Sequence, residues 1–158
     1  MAYFDLVRFF AKPYEAGQAN TQLGVVIRPN AIYDFTIDLA KERSTVDEVY
    51  ALIISGLNLA YNDLPEDNSF YADKYAAKAL LARVYLQQWN YPAARDAAHD
   101  VIENSGRALS PKYANAFNHD VNQSEDIFAI QITKQTGENE VTNLYASEDN
   151  GGRGGDIE

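Results

Sequence analysis

No cysteine occurs in the 158 residues. That absence removes disulfide staples, thiolate nucleophiles and cysteine-based zinc sites together, and it leaves the redox compartment open, since a chain without thiols survives in any of them. No apolar run is long enough to span a bilayer, and no basic, apolar, small-residue signal opens the chain. The expectation is a soluble chain. Positive charge is scarce as well: 13 Lys and Arg stand against 23 Asp and Glu, a net charge of −10. No basic cluster could track a phosphate backbone, so nucleic acid is not an expected partner, and anionic lipid would repel the chain. There are only two histidines. His99 is expected on a helix surface and His119 in a loop, and neither has metal-ligand spacing or a nucleophile motif beside it. No metal, cofactor or catalytic residue is expected.

What is present suits a globular fold. Hydrophobic residues make up 46% and charged residues 23%, close to the average soluble protein, and the length fits one domain, 1–158, able to bury a core. "MAYFDLVRFFAKPY" has helical apolar spacing at Tyr3, Phe4, Val7 and Phe10 but no N-cap before it, which reads as a helix (1–12) entered part-way. Residues 13–42 hold most of the turn formers and form a long connection, with "LGVVIR" (23–28) a candidate extended segment. At the other end "EDNGGRGGDIE" trails off without a closing element. The sequence therefore reads as a piece of a longer chain.

In "RSTVDEVYALIISGLNLAYNDLP" the Thr45-x-x-Glu48 spacing predicts a capping box, and apolar residues at Val46, Val49, Ile53, Leu57, Ala60 or Tyr61 and Leu64 keep one stripe on one face until Pro65. A second helix is expected from about Asp73 to Trp89, with Ala77, Leu80, Leu81, Val84 and Tyr85 inward. A third follows from Tyr91 to about Asn104, capped by Asn90 and ended at Gly106. Together these make a helical-repeat layer over 45–106. Beyond it, "SPKYANAF" (110–117) reads as a short helix and "DIFAIQIT" (126–133) as a strand whose partner would come from 23–28 or from outside the chain.

Eight alanines fall between residues 76 and 98. Leu81, Ala82 and Tyr85, followed by Tyr91, Ala94 and Ala98, have the spacing of a tetratricopeptide-type hairpin, in which small residues let two antiparallel helices approach closely. The fold class is therefore mainly α: tetratricopeptide-like hairpins in an α-α superhelix, with long loops and a short strand element.

"YFDLVRFFAKPY", "RSTVDEVYALIISGLNLAYNDLP", "KYAAKALLARVYLQQWNYPAARDAAHDVIENSG", "ALSPKYANAF" and "SEDIFAIQIT" occur in this order, and together they resemble the middle part of the SusD/RagB family over nearly the whole chain. A hairpin alone would be a weak signal. The hairpin followed by a Y-x-x-x-F helix and an S-E-x-I-F-x-I-Q strand is specific. The resemblance implies a nutrient-binding lipoprotein, often for glycans, on the outer-membrane surface of Bacteroidetes-type bacteria, working with a SusC-like TonB-dependent transporter. The family's lipid-bearing cysteine and its large C-terminal part are absent from this sequence, so membrane anchoring would require chain not present here. No ligand-contacting residue carries over from the family.

Sugar sites offer flat aromatic faces to the apolar side of pyranose rings. The candidates for such a role are Tyr33, Phe35, Tyr71 and Trp89, although for Trp89, at a helix end, packing across the hairpin is the favoured expectation. Adjacent acids at Asp47-Glu48, Glu66-Asp67 and Glu125-Asp126 invite a glycosidase reading, but capping, turns and solvation account for them. "GGRGG" (151–155) lacks the strand and helix of a phosphate cradle and reads as a connector. The competing function is a cytoplasmic tetratricopeptide adaptor that holds a peptide in its groove, a reading carried by the hairpin alone.

Overall fold

The computed structural model describes residues 1–34, 36, 39–116 and 122–130. The chain divides into two compact units, Met1–Phe128 and Ala129–Glu158, and the four α-helices found among the described residues lie in the first. They are α1 (Ala2–Phe10), α2 (Val46–Asp63), α3 (Lys74–Gln87) and α4 (Tyr91–Asn104), followed by a 3₁₀ turn at Tyr113–Ala116. Successive helices pack on one another, with the α3–α4 contact the most extensive. This is the helical-repeat arrangement expected from the spacing.

Helices α2, α3 and α4 each start where a side chain can satisfy an orphan amide. The Glu48 amide donates to Thr45 Oγ1 at 3.2 Å while the Thr45 amide donates to Glu48 Oε2 at 2.8 Å, which completes the capping box of α2. Asp73 caps α3 by accepting from the Ala76 amide at 2.8 Å, and Asn90 caps α4 by accepting from the Ala93 amide at 3.3 Å. Met1 precedes α1 and makes no side-chain cap. Leu64, ahead of Pro65, is already extended, as the steric demand of the proline ring requires.

The core has two sides. Phe4 and Val7 of α1, Val46, Val49, Tyr50 and Ile53 of α2, and Val84 of α3 form one cluster. Within it Tyr50 takes Phe4 edge-on at 6.4 Å and Tyr14 at 5.2 Å between ring centres. On the other side α3 buries Tyr75, Ala77 and Leu81 and α4 buries Ala94, Ala97 and Val101. In α4 the buried side chains before Val101 are methyl groups, so that helix can lie close against α3 and gains stability from many small dispersion contacts. Leu81 and Ala94 are buried, and Ala82, Tyr85 and Ala98 half-buried. Tyr91 differs from the hairpin role read from its spacing. It is 60% exposed, because it is the first residue of α4 and stands ahead of the turn that carries Ala94.

The 13–42 connection is tied down at its near end. Gly24 donates to the Ser44 carbonyl at 2.7 Å, Ser44 donates to the Val25 carbonyl at 3.0 Å, and Leu23 pairs with Thr45 in an isolated antiparallel bridge. A Cβ on Gly24 would lie 2.8 Å from the Thr45 carbonyl oxygen and 2.9 Å from that of Ser44, so this backbone approach demands glycine. The Arg43 guanidinium bonds the carbonyls of Gly24 at 2.6 Å and Phe10 at 3.1 Å, which also satisfies the C-terminal end of α1.

This pairing bears on the strand expected at 126–133. Within 23–28, Gly24 and Val25 bond Ser44 and Arg28 bonds the Tyr3 hydroxyl, and Asp126–Ile130 form no strand. Residues 131–133 lie outside the described residues, as do Phe117, His119 and the 151–155 glycines. Of the short helix expected at 110–117, only the 3₁₀ turn is formed among the described residues.

A polar network joins α2, α3 and α4 at their surface. Tyr61 donates its O–H to Asp100 Oδ2 at 2.8 Å, Lys78 pairs with the same oxygen at 3.4 Å, and Asn104 donates to Oδ1 at 2.7 Å. The Lys78 ammonium also lies over the Tyr61 ring, 4.2 Å from its centre. The Asn104 hydrogen bond foremost, then those from Tyr61 and Lys78, hold the Asp100 carboxyl below the usual range. Donation to Asp100 pushes Tyr61 up to about 12. A folded-state value above the unfolded one means stability that is complete below the ordinary phenol range and lost as pH rises through the folded value. Tyr61→Phe is therefore expected to cost about 1 kcal/mol at neutral pH, the usual scale for an exposed-edge hydrogen bond to a charge. The difference from the parent chain should narrow as pH rises toward about 12. Urea midpoints of both proteins across that range check it, and a pH-independent gap would show that the hydroxyl contributes no titrating interaction.

Candidate functional site

The far part of the long connection forms an open cleft of about 460 Å³ walled by residues of the 28–41 segment. Its base is fixed from two directions. The Tyr3 hydroxyl of α1 donates to the Arg28 carbonyl at 3.0 Å and accepts from the Arg28 amide at 2.8 Å. The Arg28 guanidinium then bonds the Leu39 carbonyl, closing the loop across its neck. At the tip Asp34 Oδ1 accepts from the Thr36 amide at 2.9 Å and the Thr36 hydroxyl at 2.7 Å, an Asx-type turn. Those two bonds, the hydroxyl's first, keep the Asp34 carboxyl below its ordinary value and therefore ionised.

Tyr33, beside that turn, is 89% exposed and lines the cleft together with the Asn30 amide, the Asp34 carboxylate and Lys41. A free aromatic face beside an amide, an anion and a cation is the set of groups that takes a sugar ring. The ring covers the apolar face, and the polar groups exchange hydrogen bonds with hydroxyls. Phe35 lies outside the described residues.

The other two aromatic candidates sit elsewhere. Tyr71 is 77% exposed, beside Phe70, in the turn between α2 and α3. Trp89 is 63% exposed in the α3–α4 turn and lines a different cleft, with Phe4 and Arg8 of α1 and Arg83, Leu86 and Gln87 of α3. The clefts of Tyr33 and Trp89 share no lining residue, so the aromatics read from the sequence do not converge on one site. The anchoring residues Tyr3, Arg28 and Thr36 escaped the sequence reading. A signal for the last existed in Asp34-x-Thr36, the spacing of an Asx turn.

In each of the acidic pairs at least one carboxylate has structural work. Glu48 completes a capping box, Glu66 pairs with Lys74 at 3.5 Å, Asp67 accepts from the Ser69 amide at 3.0 Å, and Glu125 accepts from the Ser110 amide at 3.1 Å. Among the described residues no group of three His, Cys, Asp or Glu side chains could hold a metal, and no helix is long and apolar enough to cross a membrane.

Comparison with known proteins agrees with this architecture. A SusD-like protein of Bacteroides ovatus is 36% identical over 98 residues, covering 54% of this chain and 18% of that protein. Among solved structures, a SusD superfamily protein from Bacteroides thetaiotaomicron superposes with a TM-score of 0.72 at 36% identity, covering 85% of this chain and 29% of that one. A proposed sugar binding protein from Bacteroides vulgatus superposes with a TM-score of 0.68 at 33% identity, covering 81% and 30%. The chain thus spans about a fifth of the curated relative and under a third of the solved ones. The family model described as "Starch-binding associating with outer membrane" matches residues 1–86, more than half of the sequence, and on that match the chain belongs to the SusD-like family.

Proposed function

We propose that this chain is the helical part of a non-catalytic, cell-surface nutrient-binding protein that captures a glycan and hands it to a SusC-like TonB-dependent transporter in the outer membrane. The observation that carries the reading is membership of a family described as starch-binding and associating with the outer membrane. The likeness to a proposed sugar binding protein, at 33% identity, supports the ligand class. In this reading the packed helices form a rigid scaffold, and the 28–41 cleft, pinned to α1 by Tyr3, presents Tyr33 to the sugar. A lipid anchor, carried by chain outside these residues, would hold the protein at the membrane. The described residues offer aromatic and hydrogen-bonding groups for binding, and in each adjacent acidic pair at least one carboxylate has a structural duty.

Calorimetric titration of the 158-residue chain and of the full-length protein against a panel of neutral oligosaccharides tests the ligand. Purification of the full-length protein from outer membranes tests the partner. A saccharide is expected to bind, and Tyr33→Ala is expected to weaken it about tenfold, the scale of one aromatic stacking contact. Absence of affinity for every glycan, with no barrel protein co-purifying, overturns the reading. Binding that is indifferent to Tyr33→Ala moves the ligand away from the 28–41 cleft.

A further inference from the structure

The second cleft, between α1 and the α3–α4 turn, has a chemistry unlike the rest of this acidic chain. Its volume is about 300 Å³, and its six lining residues, Phe4, Arg8, Arg83, Leu86, Gln87 and Trp89, include two guanidiniums and no carboxylate. Arg8 is held in place. Its guanidinium carbon lies 5.0 Å from the Phe4 ring centre and 5.5 Å from that of Phe9, and its nearest acid is Asp5 at 3.9 Å. Arg83 has no carboxylate partner among the described residues. In a chain of net charge −10, a surplus cation set beside a positioned one concentrates positive potential locally.

Trp89 supplies an independent observation. Its backbone is left-handed, φ +60, with its amide donating to the Leu86 carbonyl at 3.0 Å and the Asn90 amide donating to the Tyr85 carbonyl at 2.9 Å. Glycine makes this helix-ending turn without strain, whereas a bulky residue costs about 1–2 kcal/mol there. Burial does not repay that cost, because the indole is 63% exposed. A strained, exposed aromatic at the lip of a cationic cleft has a reason to be there if a flat ring lies against it.

We propose that this cleft binds the carboxylate-bearing ring of an acidic saccharide, with the Trp89 indole against the apolar face of the sugar and Arg83 and Arg8 taking the carboxylate. The guanidinium fork matches a carboxylate's two oxygens, and the Gln87 amide is placed to serve a ring hydroxyl. This rests on the glycan reading only in naming a sugar as the carrier of the charge. The recognition of the anion stands on Arg83 and Arg8 alone.

The test is calorimetric titration of the 158-residue chain with trigalacturonate, its fully methyl-esterified form and neutral maltotriose at low and moderate salt. The acid form is expected to bind at least about tenfold more tightly than the ester, with an affinity that falls as salt rises. Arg83→Gln should remove most of that preference. Trp89→Gly should weaken the acid form about tenfold while leaving the urea midpoint unchanged or raised, since it relieves the turn, and that separates loss of the ring from loss of the fold. Equal binding of acid and ester, or an acid preference untouched by Arg83→Gln, overturns the acid site and leaves glycan capture at the Tyr33 cleft standing. No binding of the acid form overturns the acid site too. An acid preference abolished by Arg83→Gln upholds it even if no neutral glycan binds the chain.

Discussion

Asp73→Ala is expected to lower the stability of the chain by about 3 kcal/mol, the sum of a lost helix cap and a stranded, partly buried cation. Asp73 is 3% exposed and uses both oxygens. Oδ1 accepts from the Ala76 amide at 2.8 Å at the start of α3, and Oδ2 takes the Arg107 guanidinium at 2.5 Å. Arg107 in turn donates through Nε to the Asp126 carbonyl at 2.9 Å, so one carboxylate ties the head of α3 to the chain that returns after α4. The cap alone accounts for about 1 kcal/mol. The Arg107 side chain keeps 25% of its surface in solvent, which places its loss below the full 3–5 kcal/mol of a deeply buried pair. Asp73→Ser separates the two contributions, since serine caps a helix but carries no charge. It should recover about 1 kcal/mol of the deficit. Urea unfolding of the three proteins decides the matter. If the alanine and serine variants both melt like the parent, Asp73 joins nothing of consequence.

That pair also marks the limit of what could be read along the chain. Asp73 was visible as a helix start, because caps and turns are local. Its partner lies 34 residues away and no spacing rule connects them. Local signals served well elsewhere. The capping box at Thr45, the apolar stripe of α2, the Asn90 cap and the left-handed Gly106 all lie within a few residues of the feature they specify. The alternation in 126–130 is local too, yet a strand is a relation between two segments. Pattern alone could not reveal that 23–25 would pair with 44–45. Tyr91 was misplaced for a smaller reason: repeat spacing assigns a face, while burial depends on how far along the helix the neighbour extends.

The candidate site was legible in part. Tyr33 and Tyr71 could be picked out as aromatics next to turns, and both face solvent, whereas Trp89, for which packing across the hairpin was the favoured expectation, is exposed too. Their distribution over separate surfaces could not be picked out, because it depends on how α1, α3 and the 28–41 segment fold against one another. Nor could the pairing of Arg8 with Arg83 in one cleft, 75 positions apart in the sequence. Composition shows only an overall excess of acid. Net charge sums over the whole chain, and a binding protein needs only one place where the sum is locally reversed.

Asn20→Asp, a change of one amide nitrogen to oxygen, is expected to cost about 3 kcal/mol at neutral pH, because it turns two hydrogen bonds in a buried site into repulsions. Asn20 is 2% exposed. Its Nδ2 donates to the carbonyls of Glu15 at 2.9 Å and Gln18 at 2.8 Å, and its Oδ1 accepts from the Glu15 amide at 2.8 Å and the Gln22 amide group at 3.0 Å. Its own carbonyl accepts the Asp47 amide at 3.1 Å, one of the orphan donors at the start of α2. Asparagine therefore folds the 13–22 turn and joins it to the core helix at once. Its φ of +51 adds a second demand that asparagine meets more easily than most side chains. An introduced carboxyl facing two carbonyl oxygens would have its pKa raised above the ordinary carboxylate value, so the penalty should be full above that raised value, shrink as pH falls through it, and reach its minimum by about pH 4, where the protonated acid can donate one bond. Asn20→Ala, which loses the bonds and keeps the awkward φ, should be about 1 kcal/mol worse than Asn20→Gly, which loses the same bonds without the backbone strain. Chemical denaturation of the three variants at two pH values separates these contributions. An aspartate variant as stable as the parent at neutral pH would mean that the turn is held by its backbone and not by this side chain.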